Sequence, residues 1–254
     1  MTLEVCCGNI DSVKAAIEGG AERIELCSRL DLDGLTPTRE MLREAVSLCR
    51  PAGVVVHVLI RSREGDFVYN DEEVEQMSRD IDMAVEEGAD GIVIGALTHD
   101  GDIDADVCRR WIDRVRHDDG SLRCNVTFHR AFDVCRNPME AIGVIARLGC
   151  NRILTSGQKP TAVEGIPLLR QLVGKAREIS LNSGREFRIL CGAGVTVENA
   201  WHILKATEAN EIHGSLRTGL VSDANKIKEV QCPREGAVPP TSCLRGKAGT
   251  LRLL

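Results

Sequence analysis

Two short segments of the chain carry the same pair of reactive groups at the same spacing. Glu4-Val5-Cys6 and Glu25-Leu26-Cys27 each place a carboxylate two residues before a thiol. On an extended strand residues two apart share a face, so the Glu and Cys of each pair point the same way. If the two segments are neighbouring strands, Cys6 and Cys27 converge and offer soft sulfur to a soft cation, for which Cu(I) is the fitting ion. Packing is the competing explanation, since cysteine is among the residues most often buried and the chain holds 11 of them. Cys7 faces away from Cys6, and Cys49, Cys108, Cys124, Cys135, Cys150 and Cys191 show no mutual ligand spacing.

Further along, polar residues gather after short apolar runs. Arg61 opens the turn-rich stretch Ser62-Arg63-Glu64-Gly65-Asp66-Phe67, in which arginines could hold an anion while Asp66 pins one of them. In Thr127-Phe128-His129-Arg130-Ala131-Phe132-Asp133, His129 could move a proton, with Arg130 or Asp133 setting its environment. Arg130 and Asp133 could equally form an ion pair that braces the loop. Ser156, Gly192, Gly194, His213, Ser215 and Arg217 complete the set, because small residues there let backbone N–H groups approach an anion. Glu25, His129 and Asp133 are the candidates for proton transfer.

These groups need a frame that brings them together. Eight β-rich runs alternate with amphipathic stretches: Leu3 to Cys7, Arg23 to Cys27, Val54 to Arg61, Gly91 to Gly95, Asn125 to Arg130, Arg152 to Thr155, Phe187 to Cys191 and Glu211 to His213. Each but the last precedes a clear helix. In the first of these, Asn9 or Asp11 can cap the N-terminus and Gly19-Gly20 supplies a left-handed stop. Helix-to-strand junctions repeat as Gly20-Ala21-Glu22-Arg23-Ile24, Gly88-Ala89-Asp90-Gly91-Ile92 and Gly149-Cys150-Asn151-Arg152-Ile153, with Ala209-Asn210-Glu211-Ile212 a weaker copy. Their glycines stand 68 and 61 residues apart, about two βα units. The expectation is α/β, a single TIM-type (β/α)8 barrel over 1–230 with the polar residues at the C-terminal ends of its strands; a doubly wound open sheet is the alternative. From Gln231 to Leu254 the pattern breaks into a Pro- and Gly-containing irregular tail, in which Cys232 and Cys243 are expected to be exposed thiols.

Composition removes other function classes. With 32 Lys+Arg against 38 Asp+Glu, a net charge of -6 and few aromatics (Phe 4, Trp 2, Tyr 1), the chain has neither a basic field nor a stacking platform for nucleic acid. No apolar run is long enough to span a bilayer, and Met1-Thr2-Leu3-Glu4 lacks the features of a signal peptide, so the expected location is cytoplasmic. An odd number of cysteines without a C-x-x-C fits reduced thiols rather than a disulfide scaffold.

In order along the chain, Glu4-Val5-Cys6, Gly20-Ala21-Glu22-Arg23-Ile24-Glu25-Leu26-Cys27, Gly34-Leu35-Thr36-Pro37, Gly65-Asp66-Phe67-Val68-Tyr69, the Thr127 to Asp133 segment and Leu154-Thr155-Ser156-Gly157 closely resemble the copper homeostasis protein CutC family. The resemblance runs from about Leu3 to Gly219. It implies a cytoplasmic TIM barrel, a homo-oligomer, and Cu(I) held by cysteines matching Cys6 and Cys27. Two segments depart from the family style. Arg-Pro-Arg-Gly-Gly-Asp-Phe becomes Arg61-Ser62-Arg63-Glu64-Gly65-Asp66-Phe67, and His-Cys-Ser-Ala-Arg becomes His213-Gly214-Ser215-Leu216-Arg217, which removes any copper role for a cysteine there. Two functions follow for test: a non-catalytic Cu(I) protein using Cys6 and Cys27, and an enzyme acting on a small anionic or phosphorylated metabolite at the polar barrel mouth.

Overall fold

The structure, a computed structural model, describes residues 1–231; Cys232, Cys243 and the rest of the expected tail lie outside the described residues. Eight parallel strands close in sequence order, so β8 pairs with β1 and the open-sheet alternative is excluded. The strands are β1 (Thr2–Cys7), β2 (Arg23–Leu26), β3 (Val55–Leu59), β4 (Gly91–Ile94), β5 (Asn125–Phe128), β6 (Arg152–Thr155), β7 (Arg188–Cys191) and β8 (Glu211–Gly214). Around them lie α1 (Ile10–Gly19), α2 (Arg39–Ala52), α3 (Asp71–Glu86), α4 (Ala105–Arg114), α5 (Pro138–Leu148), α6 (Ile166–Ser183), α7 (Ala200–Thr207) and α8 (Ala224–Gln231). Among the described residues no helix is long and apolar enough to cross a membrane.

Local chemistry explains the punctuation. Asn9, not Asp11, caps α1 by accepting from the Ser12 N–H at 2.8 Å, and Gly20 ends the helix at φ 81°. The weaker fourth junction lacks that glycine, and Glu208 takes the left-handed position instead at φ 60°. Arg177 offsets this by donating to both the Glu208 carboxylate and its carbonyl oxygen.

The sequence pattern leaves the eighth helix unseen, because β8 is followed first by a small antiparallel hairpin, β9 (Arg217–Thr218) and β10 (Val221–Ser222). α8 then buries only Ile227 and Val230, too little apolar periodicity to recognise. Gln231 is its last residue and belongs to the barrel rather than to the tail, donating to the Gly20 carbonyl and the Glu22 carboxylate. α8 also explains Gly19, where a Cβ would meet the Ile227 side chain at 2.5 Å.

The main apolar core lies between the outer faces of the strands and the helices, holding Leu3, Val5, Cys7, Ile24 and Leu26. Inside the barrel the alternate residues build something different from the usual branched apolar layers. Arg23 on β2 donates Nε to Glu4 on β1 and Nη2 to Glu211 on β8 at 2.5 Å. Arg152 on β6 reaches the same Glu211 oxygen at 3.1 Å and the Thr127 hydroxyl at 3.2 Å. All four charged residues are buried. His57 on β3 fills the space beside them, its Nδ1 3.7 Å from Glu4, over Gly91, where a Cβ would meet the ring at 2.4 Å. Above this charged layer, toward the C-terminal mouth, sits a small separate cluster of Cys6, Cys27, Leu59 and Val93.

Charges buried this deeply depend on their partners. Arg23→Met is expected to cost about 3–5 kcal/mol by leaving Glu4 and Glu211 short of a cation, seen as a lower urea midpoint at unchanged slope; an unchanged midpoint would show that the charged layer contributes nothing to stability.

Candidate functional site

At the C-terminal ends of the strands a cavity of about 470 Å³ opens. Its wall includes Cys6, Glu25, Arg61, His129, Arg130, Asp133, Gly194, His213, Ser215 and Arg217, so most of the candidate residues meet around one space. Cys27, Ser156 and Gly192 do not line it.

The β1 and β2 side holds the thiols. Register pairs Cys6 with Glu25, and the Cys6 and Cys27 sulfurs lie 3.7 Å apart. Both cysteines are inward and reduced. Cys6 is the one that meets the cavity, while Cys27 lies fully buried behind it. The hydrogen bond shared with Cys27 together with burial pushes the Cys6 thiol well above its ordinary range.

Closure of the barrel brings in His213, because β8 pairs with β1 so that Glu4 stands opposite His213. The Nδ1 of His213 lies 2.8 Å from Glu4 Oε1 and its Nε2 lies 3.8 Å from Glu25 Oε2. Cys6, Glu25 and His213 thus present a sulfur, an oxygen and a nitrogen all within 4.8 Å of one another. Burial lowers His213, but Glu25, Cys6 and Glu4 outweigh it and hold the ring's proton affinity well above normal. Burial alone would raise the Glu4 carboxyl; Arg23, His213 and His57 around it hold it well below the usual carboxylate range. Glu25, with burial and the nearby Glu4 charge outweighing His213, is shifted up.

The β3, β5 and β6 side is organised differently. Strand β5 ends at Phe128 rather than Arg130, because His129 caps a 3-10 turn over Arg130–Val134, its Nδ1 accepting from the Ala131 N–H at 3.1 Å. The ring proton therefore sits on Nε2, which has no partner. Gly95 makes room for this ring, since a Cβ there would meet it at 2.6 Å. Asp133 accepts from the Thr155 hydroxyl at 2.5 Å, the Ser156 N–H at 3.0 Å, the Gln158 N–H at 3.1 Å and Arg130 Nε at 2.8 Å. With its oxygens so engaged, Asp133 ties the turn after β5 to the loop after β6, and Ser156 and Arg130 join that brace.

The remaining candidates divide in the same way. Asp66 pins Arg63 at 2.8 Å, leaving Arg61 to the cavity wall. Gly192 is explained by packing, as a Cβ there would lie 2.6 Å from Leu154 Cδ1. Sequence reasoning set His213 among the anion loops and did not join it to Cys6 and Glu25; the signal was the closure of β8 on β1, which alternation within one strand cannot show.

The fold and its mouth define a (β/α)8 barrel protein with a thiol, carboxylate and imidazole cluster above a charged interior layer. The CutC family model matches residues 1–218, and the chain belongs to that family. It is 44% identical over 213 residues to a CutC family protein of Pasteurella multocida, covering 84% of this chain and 81% of the relative. A Bacteroides fragilis CutC family protein is 44% identical over 222 residues, 86% of this chain and 81% of that one. Among solved structures, a CutC protein of Streptococcus agalactiae, provisionally named for copper homeostasis, superposes with a TM-score of 0.76 at 32% identity, covering 85% of this chain and 98% of its own.

The buried rings give a pH prediction. Burial, joined for His129 by the charge of Arg61, lowers both His57 and His129 from 6.5 to about 3. Each is neutral when folded and takes a proton on unfolding between about pH 3 and 6.5, so stability falls with acid across that window. NMR signals of both rings should stay constant from about pH 8 to 5, and proton uptake on unfolding near pH 5 should drop by about one in His129→Asn. A His129 ring that titrates near 6.5 would contradict this.

Proposed function

We propose that the protein binds Cu(I) as cargo, through the Cys6 and Cys27 thiolates, in copper homeostasis in the reducing cytoplasm, as a homo-oligomer. The observation that carries the reading is the 3.7 Å sulfur pair, of which Cys6 lines an open cavity and Cys27 lies behind it. Soft thiolates suit Cu(I) better than the hard cations that carboxylates alone attract. Sulfurs this close together sit on one side of an ion that they share. A bent pair leaves a coordination position open, and His213, with Glu25 beside it, stands next to Cys6 to fill it. Glu4 on His213 Nδ1 orients the ring from behind, the usual arrangement for a ligating histidine. Entry runs through the cavity to Cys6 first. Family membership and the name of the Streptococcus agalactiae relative support the same reading.

Anaerobic Cu(I) competition against a chromogenic chelator tests it on the reduced full chain. One ion per chain is expected, with Cys6→Ser and Cys27→Ser each weakening binding by about tenfold or more and His213→Ala by a smaller factor. Replacing Cys232 and Cys243 should change nothing. Binding that survives loss of both Cys6 and Cys27 would overturn the assignment.

A further inference from the structure

Across the cavity from the thiols one buried charge has no opposite. Arg61 is 6% exposed, yet no carboxylate among the described residues pairs with it. Its Nη1 donates to the Leu32 and Gly34 carbonyls at 3.2 Å each and its Nη2 to the Gly65 carbonyl at 3.0 Å, while Nε has no partner. The guanidinium lies over the Phe67 ring, 5.1 Å from its centroid. The deeply buried arginines of the barrel interior, Arg23 and Arg152, are answered by Glu4 and Glu211. Carbonyl dipoles and a ring face offset part of the desolvation of Arg61 but supply no counter-charge.

His129 packs against the same Phe67, its ring centroid 5.0 Å from that of the phenyl. It is 4% exposed and its Nε2–H has no acceptor, so a second buried donor goes unanswered in the wall of the same cavity. The loop after β7 adds a third feature. Ala193, also in the wall, holds φ 79°, a left-handed backbone that costs a non-glycine residue and that gathers at ligand sites. Residues carrying a positive charge, a neutral donor and a strained backbone thus line one space of small-molecule size.

We propose that this side of the cavity binds the oxyanion end, phosphate or carboxylate, of a small metabolite, with Arg61 supplying the charge and His129 Nε2–H a hydrogen bond. The inference goes beyond the copper reading and does not rest on it, since neither residue belongs to the thiol cluster.

Calorimetry on metal-free, reduced full-length protein tests it with two probes, inorganic phosphate and malonate, each against chloride at matched ionic strength. Saturable binding of at least one is expected, with a shift of the His129 Nε2–H resonance on saturation; the probe that binds tells phosphate from carboxylate. His129→Asn keeps an acceptor for the Ala131 N–H but removes the Nε2 donor, and Arg61→Lys keeps the charge but not the fork. Each should weaken binding by about tenfold or more, while Cys6→Ser leaves it intact and both variants retain the Cu(I) affinity of the parent. No saturable binding of either probe in the unaltered protein, or binding that leaves the His129 resonance and both variants unaffected, would overturn the proposal.

Discussion

The interior of this barrel is held by the Glu4 carboxylate. It takes a hydrogen bond from Arg23 on the next strand, approaches His57 on the third, and engages His213 on the strand that closes the ring. A carboxylate with no exposure tolerates this position only because those partners surround it. The consequence is geometric. Strand β1 cannot rotate or slip by a residue without turning Glu4 into the apolar layer under the helices, so its inward phase is fixed. Cys6, two residues on, then has to face the mouth, and Glu25 and Cys27 follow from Arg23 by the same alternation on β2. The charged layer at the bottom of the barrel therefore aims the thiols at its top.

That dependence explains what was legible in the sequence. Periodicity and the glycine-ended junctions showed the barrel, because each βα unit announces itself within about 30 residues. The repeated Glu-x-Cys placed both pairs on one face of their strands, and closure of the barrel put that face inward. What a linear reading lacks is distance across the ring. Glu4 and His213 are adjacent only because β8 returns to β1, and nothing near either residue in the chain signals it. Arg61 shows a subtler limit. Its residue type and its place after β3 suggested an anion site, yet much of its donor capacity is spent on the Leu32, Gly34 and Gly65 carbonyls, which no pattern in the sequence indicates. Asp133, legible as a possible base, accepts hydrogen bonds from Thr155, Ser156 and Gln158, in a loop whose course depends on the fold of β6.

The two walls of the mouth differ in kind. On the β1, β2 and β8 side, a thiol, a carboxylate and an imidazole converge on a point, an arrangement that favours a cation able to displace their protons. On the β3 and β5 side, a guanidinium without a counter-charge and an imidazole N–H without an acceptor lie against one aromatic ring, an arrangement that favours an anion. A single ion satisfies only one of them. Filling the thiol side with a cation would leave Arg61 and His129 as they are, and filling the other side with an anion would leave Cys6, Glu25 and His213 as they are. Leu59 and Phe67 add apolar surface to the wall of the same cavity. Among the described residues Arg61 makes no ion pair, whereas lower in the barrel Arg23 pairs with Glu4. Among the described residues Arg61 lacks a counter-charge and His129 Nε2 an acceptor, and that is what leaves this wall open to a ligand.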